Sequence, residues 1–274
     1  MIDLHLHTTA SDGRCTPAEL VERAAKAGLT VMAVTDHDTT AAVGEVADAG
    51  RARGIEVIAG IEITAVEDGR DIHLLGYFVD PADDQLSGFL SRQRSQRIER
   101  VKAVGERLAQ LGMPIDVTPL VAQAAQEGGR SIGRPQIARA MIAAGYVADS
   151  REAFDRWLAT GRPAFVSRGG PPPEEVMAIV HAAGGLVSLA HPGQTDVDPR
   201  IAEYVKAGLD ALEVYHPDHD KASTEKYGEV ASRLKLLVTG GSDFHGDPSH
   251  GWEPGAVTLP ADAWRRLRDA APHA

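Results

Sequence analysis

The chain has 274 residues, of which 43% are apolar, and its 39 acidic and 28 basic residues give a formal net charge of -11. This composition predicts a folded α/β domain, with or without an insertion, and argues against disorder. The negative charge argues against binding to duplex DNA, which requires a basic surface. The single cysteine excludes an internal disulfide bond, no apolar run is long enough to span a membrane, and we expect a cytoplasmic protein.

Strand patterns dominate the first part of the chain. Residues 1–7 alternate between apolar and polar side chains, which is typical of a strand. Thr16, Pro17 and Glu19 form a capping pattern for a helix that ends at Gly28. Apolar runs predict three further strands at 29–37, 56–63 and 71–78.

A long segment without a convincing strand pattern, residues 85–161, is predicted to be helical. Its first helix, at 91–112, carries arginines that are interpreted as a solvated face, with the steering of a short RNA as the alternative: Arg92, Arg94, Arg97, Arg100 and Arg107. Shorter helices follow at 116–127, 134–145 and 150–160. Strands resume at 185–191, 209–216 and 234–245, separated by helices at 172–184, 199–207 and 220–233. This alternation predicts parallel pairing of seven strands, with a helical insertion between strands four and five.

Residue types that bind metal ions recur in the predicted strands, mostly at the carboxyl end, where parallel α/β folds build their sites. These residues are His5, His7, His37, Glu62, His73, His191, His216, Asp243 and His245. One such histidine alone would be a structural residue, but the recurrence predicts a metal site. Alternate residues of a strand share a face, so His5 with His7, and Asp243 with His245, can each grip one ion. The ligands outnumber the needs of one ion, which predicts two or three divalent ions.

Five segments closely resemble the motifs of the PHP (polymerase and histidinol phosphatase) superfamily: DLHLHTTASDG, TDHD, GIEI, AHP and GSDFH. The resemblance covers 1–80 and 164–250 and is strongest to stand-alone bacterial phosphoesterases with a helical insertion. It implies an α/β fold, a distorted, TIM-like (β/α)7 barrel formed by 1–83 and 164–274. It also implies that the insertion, 84–163, contributes to substrate binding, and that a trinuclear site holds Mn²⁺, Fe²⁺ or Zn²⁺.

The same resemblance implies a ligand set for each ion. The first ion takes His5, His7, Glu62 and Asp243; the second takes Glu62, His73 and His191; the third takes Asp12, His37 and His245. Some relatives carry a histidine in place of Asp12, and the aspartate resembles the nucleoside bisphosphate branch and favours harder ions such as Mn²⁺. A direct part in catalysis is expected for Asp12, His37, Glu62, Asp243 and His245.

Candidate substrate contacts lie outside these motifs. Arg134 begins a predicted helix beside a glycine-containing loop and is predicted to bind phosphate, as similar arginines in the family do; a surface salt bridge is the alternative. Arg130 and Arg168 are weaker candidates of the same type. His216 and His219 are predicted to contact substrate, to donate a proton to the leaving oxygen, or to be exposed loop residues. No role is assigned to His181, His250 or His273.

The predicted reaction is hydrolysis of a phosphomonoester by water that divalent ions activate, without a protein nucleophile. The predicted substrate is a nucleotide with two phosphates, such as 3′-phosphoadenosine 5′-phosphate (pAp), or the 5′ end of a short RNA. A histidinol-phosphate phosphatase is an alternative, which Asp12 and the long insertion disfavour. A non-catalytic PHP binding or regulatory module is another, which the complete motif set disfavours.

Overall fold

The computed structural model describes residues 1–126, 129–247 and 252–272, so His250 and His273 lie outside the described residues. Seven strands are hydrogen-bonded in chain order. They are β1 (Ile2–Asp3), β2 (Val31–Val34), β3 (Glu56–Glu67), β4 (Arg70–Tyr77), β5 (Leu186–Leu189), β6 (Ala211–Tyr215) and β7 (Leu237–Gly240). A parallel bridge between Leu6 and Phe244, just beyond β1 and β7, brings the two edges together. The sheet is therefore a nearly closed barrel, and the predicted α/β barrel is confirmed.

Helices cover the barrel and form the insertion. They are α1 (Pro17–Ala27), α2 (Val43–Ala52), α3 (Asp84–Gln110), α4 (Thr118–Gln126), α5 (Arg134–Ala143), α6 (Ser150–Ala153), α7 (Pro173–Ala182), α8 (Ile201–Ala207), α9 (Lys221–Leu234) and α10 (Ala261–Ala270). The helix expected near 150–160 is a single turn, α6, continued by a π-helical turn at Phe154–Leu158. Helices α2 and α10 were not predicted, and neither begins with a side-chain cap. Among the described residues, none of the helices has the length and apolar character needed to cross a bilayer.

The expectation of parallel pairing throughout the sheet is wrong at β4, which runs antiparallel to both β3 and β5. Strands β3 and β4 form a hairpin through Asp68 and Gly69, whose φ angles are +50° and +76°. An Asp-Gly pair accommodates two left-handed residues and is a strong hairpin signal. Because of the reversal, β4 begins at the edge where the parallel strands end. His73, paired with Thr64, therefore lies near that edge although it is early in its strand.

Two apolar clusters separate the barrel from most of the insertion. Ile61, Leu74 and Leu189 lie in a barrel cluster that also includes Leu86 and Phe89 from the start of α3. A second cluster contains residues from 101 to 164, among them Val104, Ile137, Met141 and Leu158. Helix α3 thus begins on the barrel and ends in the insertion. The boundaries between barrel and insertion, at 83/84 and 163/164, stay a prediction.

Gly241, directly after β7, is required by a close approach of two backbone segments. A Cβ atom at this position would lie 2.4 Å from the backbone nitrogen of His5 and 2.7 Å from Oδ1 of Asp3. Gly241→Ala is expected to lower the free energy of unfolding by about 1–3 kcal/mol, because the backbone of β1 cannot move aside freely. Urea unfolding measures this loss.

The matched control for Gly241→Ala is Gly228→Ala inside α9, where a Cβ would meet no atom within 4 Å. Alanine is favoured over glycine in a helix interior, so this variant should gain up to about 1 kcal/mol. Equal destabilisation of the two variants would contradict the steric argument.

Candidate metal centre

The carboxylate of Glu62 lies at the centre of a histidine cluster. Its Oε2 atom is 3.2 Å from Nε2 of His5, 3.2 Å from Nε2 of His7 and 3.2 Å from Nδ1 of His37. These residues come from segments that follow β1 and β2, while Glu62 itself lies within the long strand β3. A bridge between His37 and Glu62 fixes the relative position of the two segments.

The second oxygen of Glu62 faces two further histidines. Its Oε1 atom is 2.8 Å from Nδ1 of His73 and 3.2 Å from Nε2 of His191. The two rings are 3.3 Å apart at their nearest nitrogens. The reversed strand β4 supplies His73 and the end of β5 supplies His191, so Glu62 joins the two halves of the barrel.

Asp243 and Asp12 complete the cluster. Oδ1 of Asp243 lies 3.2 Å from Nε2 of both His5 and His7. Oδ1 of Asp12 lies 3.1 Å from Nε2 of His245. Nδ1 of His245 lies 2.8 Å from the backbone carbonyl of Asp243 and donates to it, so Nε2 is left free to face Asp12.

Ligand atoms of these residues form three overlapping groups, each compact enough to hold an ion. The groups are His5, His7, Glu62 and Asp243; His7, Asp12, His37 and His245; and His37, Glu62 and His73. The first coincides with the set implied for the first ion, and the second contains the whole set implied for the third. In the last group His37 stands where the resemblance implied His191. The three groups contain eight of the nine predicted ligands, and Nε2 of the ninth, His191, lies 3.2 Å from Oε1 of Glu62.

The chemistry of these atoms fits divalent cations. Both ring nitrogens of His7, and Nδ1 of His37, are buried, and none of them makes a well-aligned hydrogen bond to a described residue, although carboxylate oxygens lie 3.2 Å from two of the three. A buried polar atom without a partner is costly, and a cation would provide one. Imidazole and carboxylate together suit Mn²⁺, Fe²⁺ or Zn²⁺.

Low pKa values favour the ionised form of three carboxylates in the cluster. Burial would raise the pKa of Glu62, but the neighbouring rings of His37, His73 and His5 outweigh it and hold this pKa well below its usual range. The pKa values of Asp12 and Asp243 are also well below the ordinary value, because histidines overcome the effect of burial. The cluster therefore concentrates negative charge that bound cations can balance.

The insertion contacts the loop that carries Asp12. Gln136 in α5 donates to the backbone carbonyl of Ser11 at 2.8 Å, and Arg139 donates to that of Asp12 at 3.0 Å. From the segment that follows β2, Asp36 accepts hydrogen bonds from the backbone N–H of Thr8 and from the hydroxyl of Ser11. The loop is thus held from two sides, one of them the insertion.

A cleft of about 220 Å³ opens beside His37 and His73, and four arginines line it: Arg97, Arg100, Arg134 and Arg168. Asp71 accepts from Arg100 and Arg134, each at 2.9 Å, and Asp38 pairs with Arg97 at 2.5 Å. Four guanidinium groups thus face the carboxylates of Asp71 and Asp38, and Asp12 also lines the cleft, which leaves one positive charge in excess among these groups. Burial, followed by the nearby Arg100, lowers the pKa of Arg134 to about 10, so it stays charged at neutral pH.

The interpretation of the α3 arginines as a solvated face is wrong for two of them. The side chains of Arg97 and Arg100 are only 11% and 10% exposed and point into this cleft, whereas Arg92 is exposed. Arg134 also lines the cleft, in a partly buried ion pair rather than a surface one. Its predicted contact with substrate phosphate stays a prediction.

The two histidines after β6 differ in their contacts. Nδ1 of His216 accepts from the backbone N–H of Asp218, and its Nε2 lies 3.4 Å from Oδ2 of Asp243, beside a second cavity of about 720 Å³. His219 donates from Nδ1 to the carbonyl of Val214 and accepts at Nε2 from Gly193. Both residues are buried, so the alternative of exposed loop histidines is wrong. His216 lines that cavity, whereas His219 lines neither of the two cavities and both of its ring nitrogens are engaged, so this geometry does not support contact of His219 with substrate.

One charged residue of the centre was missed in the sequence. Glu213 is fully buried in β6, and its Oε1 lies 2.9 Å from Nδ1 of His5. The signal that could have revealed it is a glutamate inside the otherwise apolar strand ALEVY.

Comparison with known proteins gives consistent similarities. The PHP domain family model matches residues 3–159. The chain is 32% identical to a 3′,5′-nucleoside bisphosphate phosphatase of Chromobacterium violaceum, over 97% of this chain and 96% of the relative. It is 33% identical to a 5′-3′ exoribonuclease of Haemophilus influenzae, over 89% of each. It is also 32% identical to a phosphoribosyl 1,2-cyclic phosphate 1,2-diphosphodiesterase of Eggerthella lenta, over 89% of this chain and 94% of the relative.

A solved structure agrees with the observed barrel. A protein of Bifidobacterium adolescentis, assigned as a metal-dependent phosphoesterase, superimposes with a TM-score of 0.87 at 37% sequence identity. The match covers 97% of this chain and 94% of that protein, so it includes both barrel and insertion.

Proposed function

The chain belongs to the PHP family and hydrolyses phosphoester bonds, and from this premise we propose that it releases a phosphate from a nucleotide with two phosphates or from the 5′ end of a short RNA. The observation that carries the proposal is the cleft with four arginines beside the histidine and carboxylate cluster. One phosphate would lie at the cluster and a second at the guanidinium groups. The similarity to a bisphosphate phosphatase and to an exoribonuclease supports this substrate class.

The proposed cofactors are two or three divalent cations, Mn²⁺ before Fe²⁺ or Zn²⁺, held by the ligand sets that the resemblance implies. When bound, such cations stabilise charge on phosphoryl oxygens and lower the pKa of water. The excess of guanidinium charge binds and orients the second phosphate, with Arg134 and Arg100 at its centre. His216, whose Nε2 faces Asp243 beside the larger cavity, is retained as a contact with the nucleoside part. A cytoplasmic location and the exclusion of duplex DNA stay predictions.

The test is a panel of phosphate esters with protein first stripped by EDTA and then loaded with Mn²⁺. Phosphate release is measured from pAp, adenosine monophosphates, histidinol phosphate, 5′-phosphorylated oligoribonucleotides and a cyclic phosphodiester. We expect kcat/KM for pAp to exceed that for a monophosphate by about 10–100-fold, since hydrogen bonds between charged groups contribute about 1.5–3 kcal/mol.

Two outcomes would contradict this substrate class. Preference for histidinol phosphate would favour that phosphatase, and activity only on the cyclic diester would indicate a phosphodiesterase. His7→Ala should abolish release of phosphate without unfolding the protein, because it removes a predicted metal ligand. A non-catalytic module would release no phosphate even as the wild type.

A further inference from the structure

Glu213 is a carboxylate buried away from water, and its burial requires an explanation. Its side chain has no exposed surface and lies in β6 between apolar neighbours. Removing a carboxylate from water costs several kcal/mol unless its oxygens are paired. Glu213 belongs to none of the three ligand groups found among the described residues. A role as a metal ligand therefore does not explain its burial.

Both oxygens of Glu213 accept hydrogen bonds, and both donors belong to predicted metal ligands. Oε1 is 2.9 Å from Nδ1 of His5, and Oε2 is 2.7 Å from the backbone nitrogen of His191. The two histidines were assigned to different ions. One carboxylate from β6 therefore contacts ligands on opposite sides of Glu62.

The contact with His5 decides which ring nitrogen is free. An imidazole that donates from Nδ1 carries its lone pair on Nε2. Nε2 of His5 is the atom that lies 3.2 Å from both Glu62 and Asp243. In the neutral ring that would bind a cation, the hydrogen bond to Glu213 holds the proton on Nδ1 and leaves the lone pair of Nε2 directed at the ligand cluster.

The contact with His191 acts on the backbone. His191 has φ +26° and ψ 59°, in the left-handed region that side chains other than glycine rarely adopt. Its N–H points at Oε2 of Glu213, which helps to hold this conformation. The same conformation brings Nε2 of the ring to 3.2 Å from Oε1 of Glu62.

We propose that Glu213 is a positioning residue, which selects Nε2 of His5 as a ligand atom, fixes His191, and so couples two ion sites. The inference rests on the proposed metal-dependent function. A glutamine cannot replace Glu213, because two N–H donors face the side chain and an amide has a single acceptor oxygen. One donor would lose its partner or face the amide nitrogen.

Glu213→Gln is expected to weaken Mn²⁺ binding by about 10–100-fold, the effect typical of removing a hydrogen-bond partner from a metal ligand. Equilibrium dialysis of the EDTA-stripped protein measures the Mn²⁺ dissociation constants and the number of ions bound. Thermal unfolding with and without Mn²⁺ gives a second readout, in which the variant gains less stability from the ion than the wild type. A purely structural role would lower stability equally in both conditions and leave the dissociation constants unchanged, which overturns the proposal.

The chain offers a matched control in Asp210, a carboxylate that also accepts from a histidine ring and from a backbone N–H. Its Oδ2 lies 2.7 Å from Nε2 of His181 and 2.8 Å from the nitrogen of Val187, away from the ligand cluster. Asp210→Asn should leave Mn²⁺ binding unchanged. Equal weakening in the two variants would overturn the role of Glu213.

A measurement on the wild type keeps the proposal testable if Glu213→Gln does not fold. In Zn²⁺-loaded protein, ¹⁵N NMR of the histidines should show His5 protonated at Nδ1 and bound through Nε2; binding through Nδ1 would overturn the proposal. Failure of the wild type to bind Mn²⁺ or Zn²⁺ would instead refute the proposed metal-dependent function.

Discussion

Glu62→Gln is expected to lower kcat/KM for pAp by at least about 10³-fold, beyond the 10–100-fold typical of an outer partner of a metal ligand. Glutamine keeps the size of the side chain and removes its charge. That charge lies where the nitrogens of His5, His7 and His37 converge on one oxygen. The other oxygen faces His73. One substitution therefore weakens the two ligand groups that contain Glu62, and it removes a charge beside His7 and His37 of the remaining group.

The measurement combines phosphate release at saturating Mn²⁺ with the Mn²⁺ content after desalting, and circular dichroism verifies the fold. The control is Glu67→Gln on the same strand, whose carboxylate accepts from Arg200 and Tyr204 at the far end of β3. This variant should retain wild-type kcat/KM and Mn²⁺ content. If Glu62→Gln retained more than about a tenth of the wild-type activity, the bridging role of Glu62 would be refuted.

The ligand cluster could be predicted because its spacing is local. Residues two apart share a face of an extended segment. The spacing of His5 and His7, and that of Asp243 and His245, therefore predicts that each pair belongs to one site. The bridge between Leu6 and Phe244 shows why these distant pairs meet: the segments that carry them are neighbours across the closing seam of the barrel.

The direction of β4 could have been predicted but was not. The alternation of strands and helices suggested parallel pairing everywhere, although residues 67–70 read Glu-Asp-Gly-Arg and the strands on either side are close in sequence. A two-residue Asp-Gly turn is stronger evidence than the alternation of strands and helices, because a crossover between parallel strands needs many more residues. In a parallel pairing His73, early in β4, would lie beside the start of β3, so its 2.8 Å contact with Glu62 depends on the reversal that the sequence analysis missed.

Arg100 and Glu213 show what a linear pattern does not contain. Arg100 lies on a helix with basic residues on several faces, and only the docking of α3 against Asp71 determines which of them is buried. Glu213 has its partners 208 and 22 residues away in the chain. In both cases the partner that explains a buried charge is fixed by tertiary structure alone.

Arg100→Gln is expected to lower kcat/KM for pAp by about 10–100-fold, and for a monophosphate by less than about threefold. Nη2 of Arg100 is buried and lacks a hydrogen-bond partner among the described residues, in a side chain that lines the arginine cleft. A phosphate oxygen would supply the partner, and hydrogen bonds between charged groups contribute about 1.5–3 kcal/mol. Asp71 keeps its contact with Arg134 in this variant, so the cleft is not left with an unpaired carboxylate.

The comparison of two substrates in one variant separates binding of a second phosphate from a general defect. Arg92→Gln, eight residues earlier on α3, removes the same charge from an exposed position above the ring of Phe89 and should change neither substrate. A loss shared equally by pAp and the monophosphate would mean that Arg100 binds the phosphate that is removed, or that its role is structural. A loss confined to pAp would mean that the excess charge of the cleft selects substrates by their second phosphate, which the ligand cluster alone cannot do.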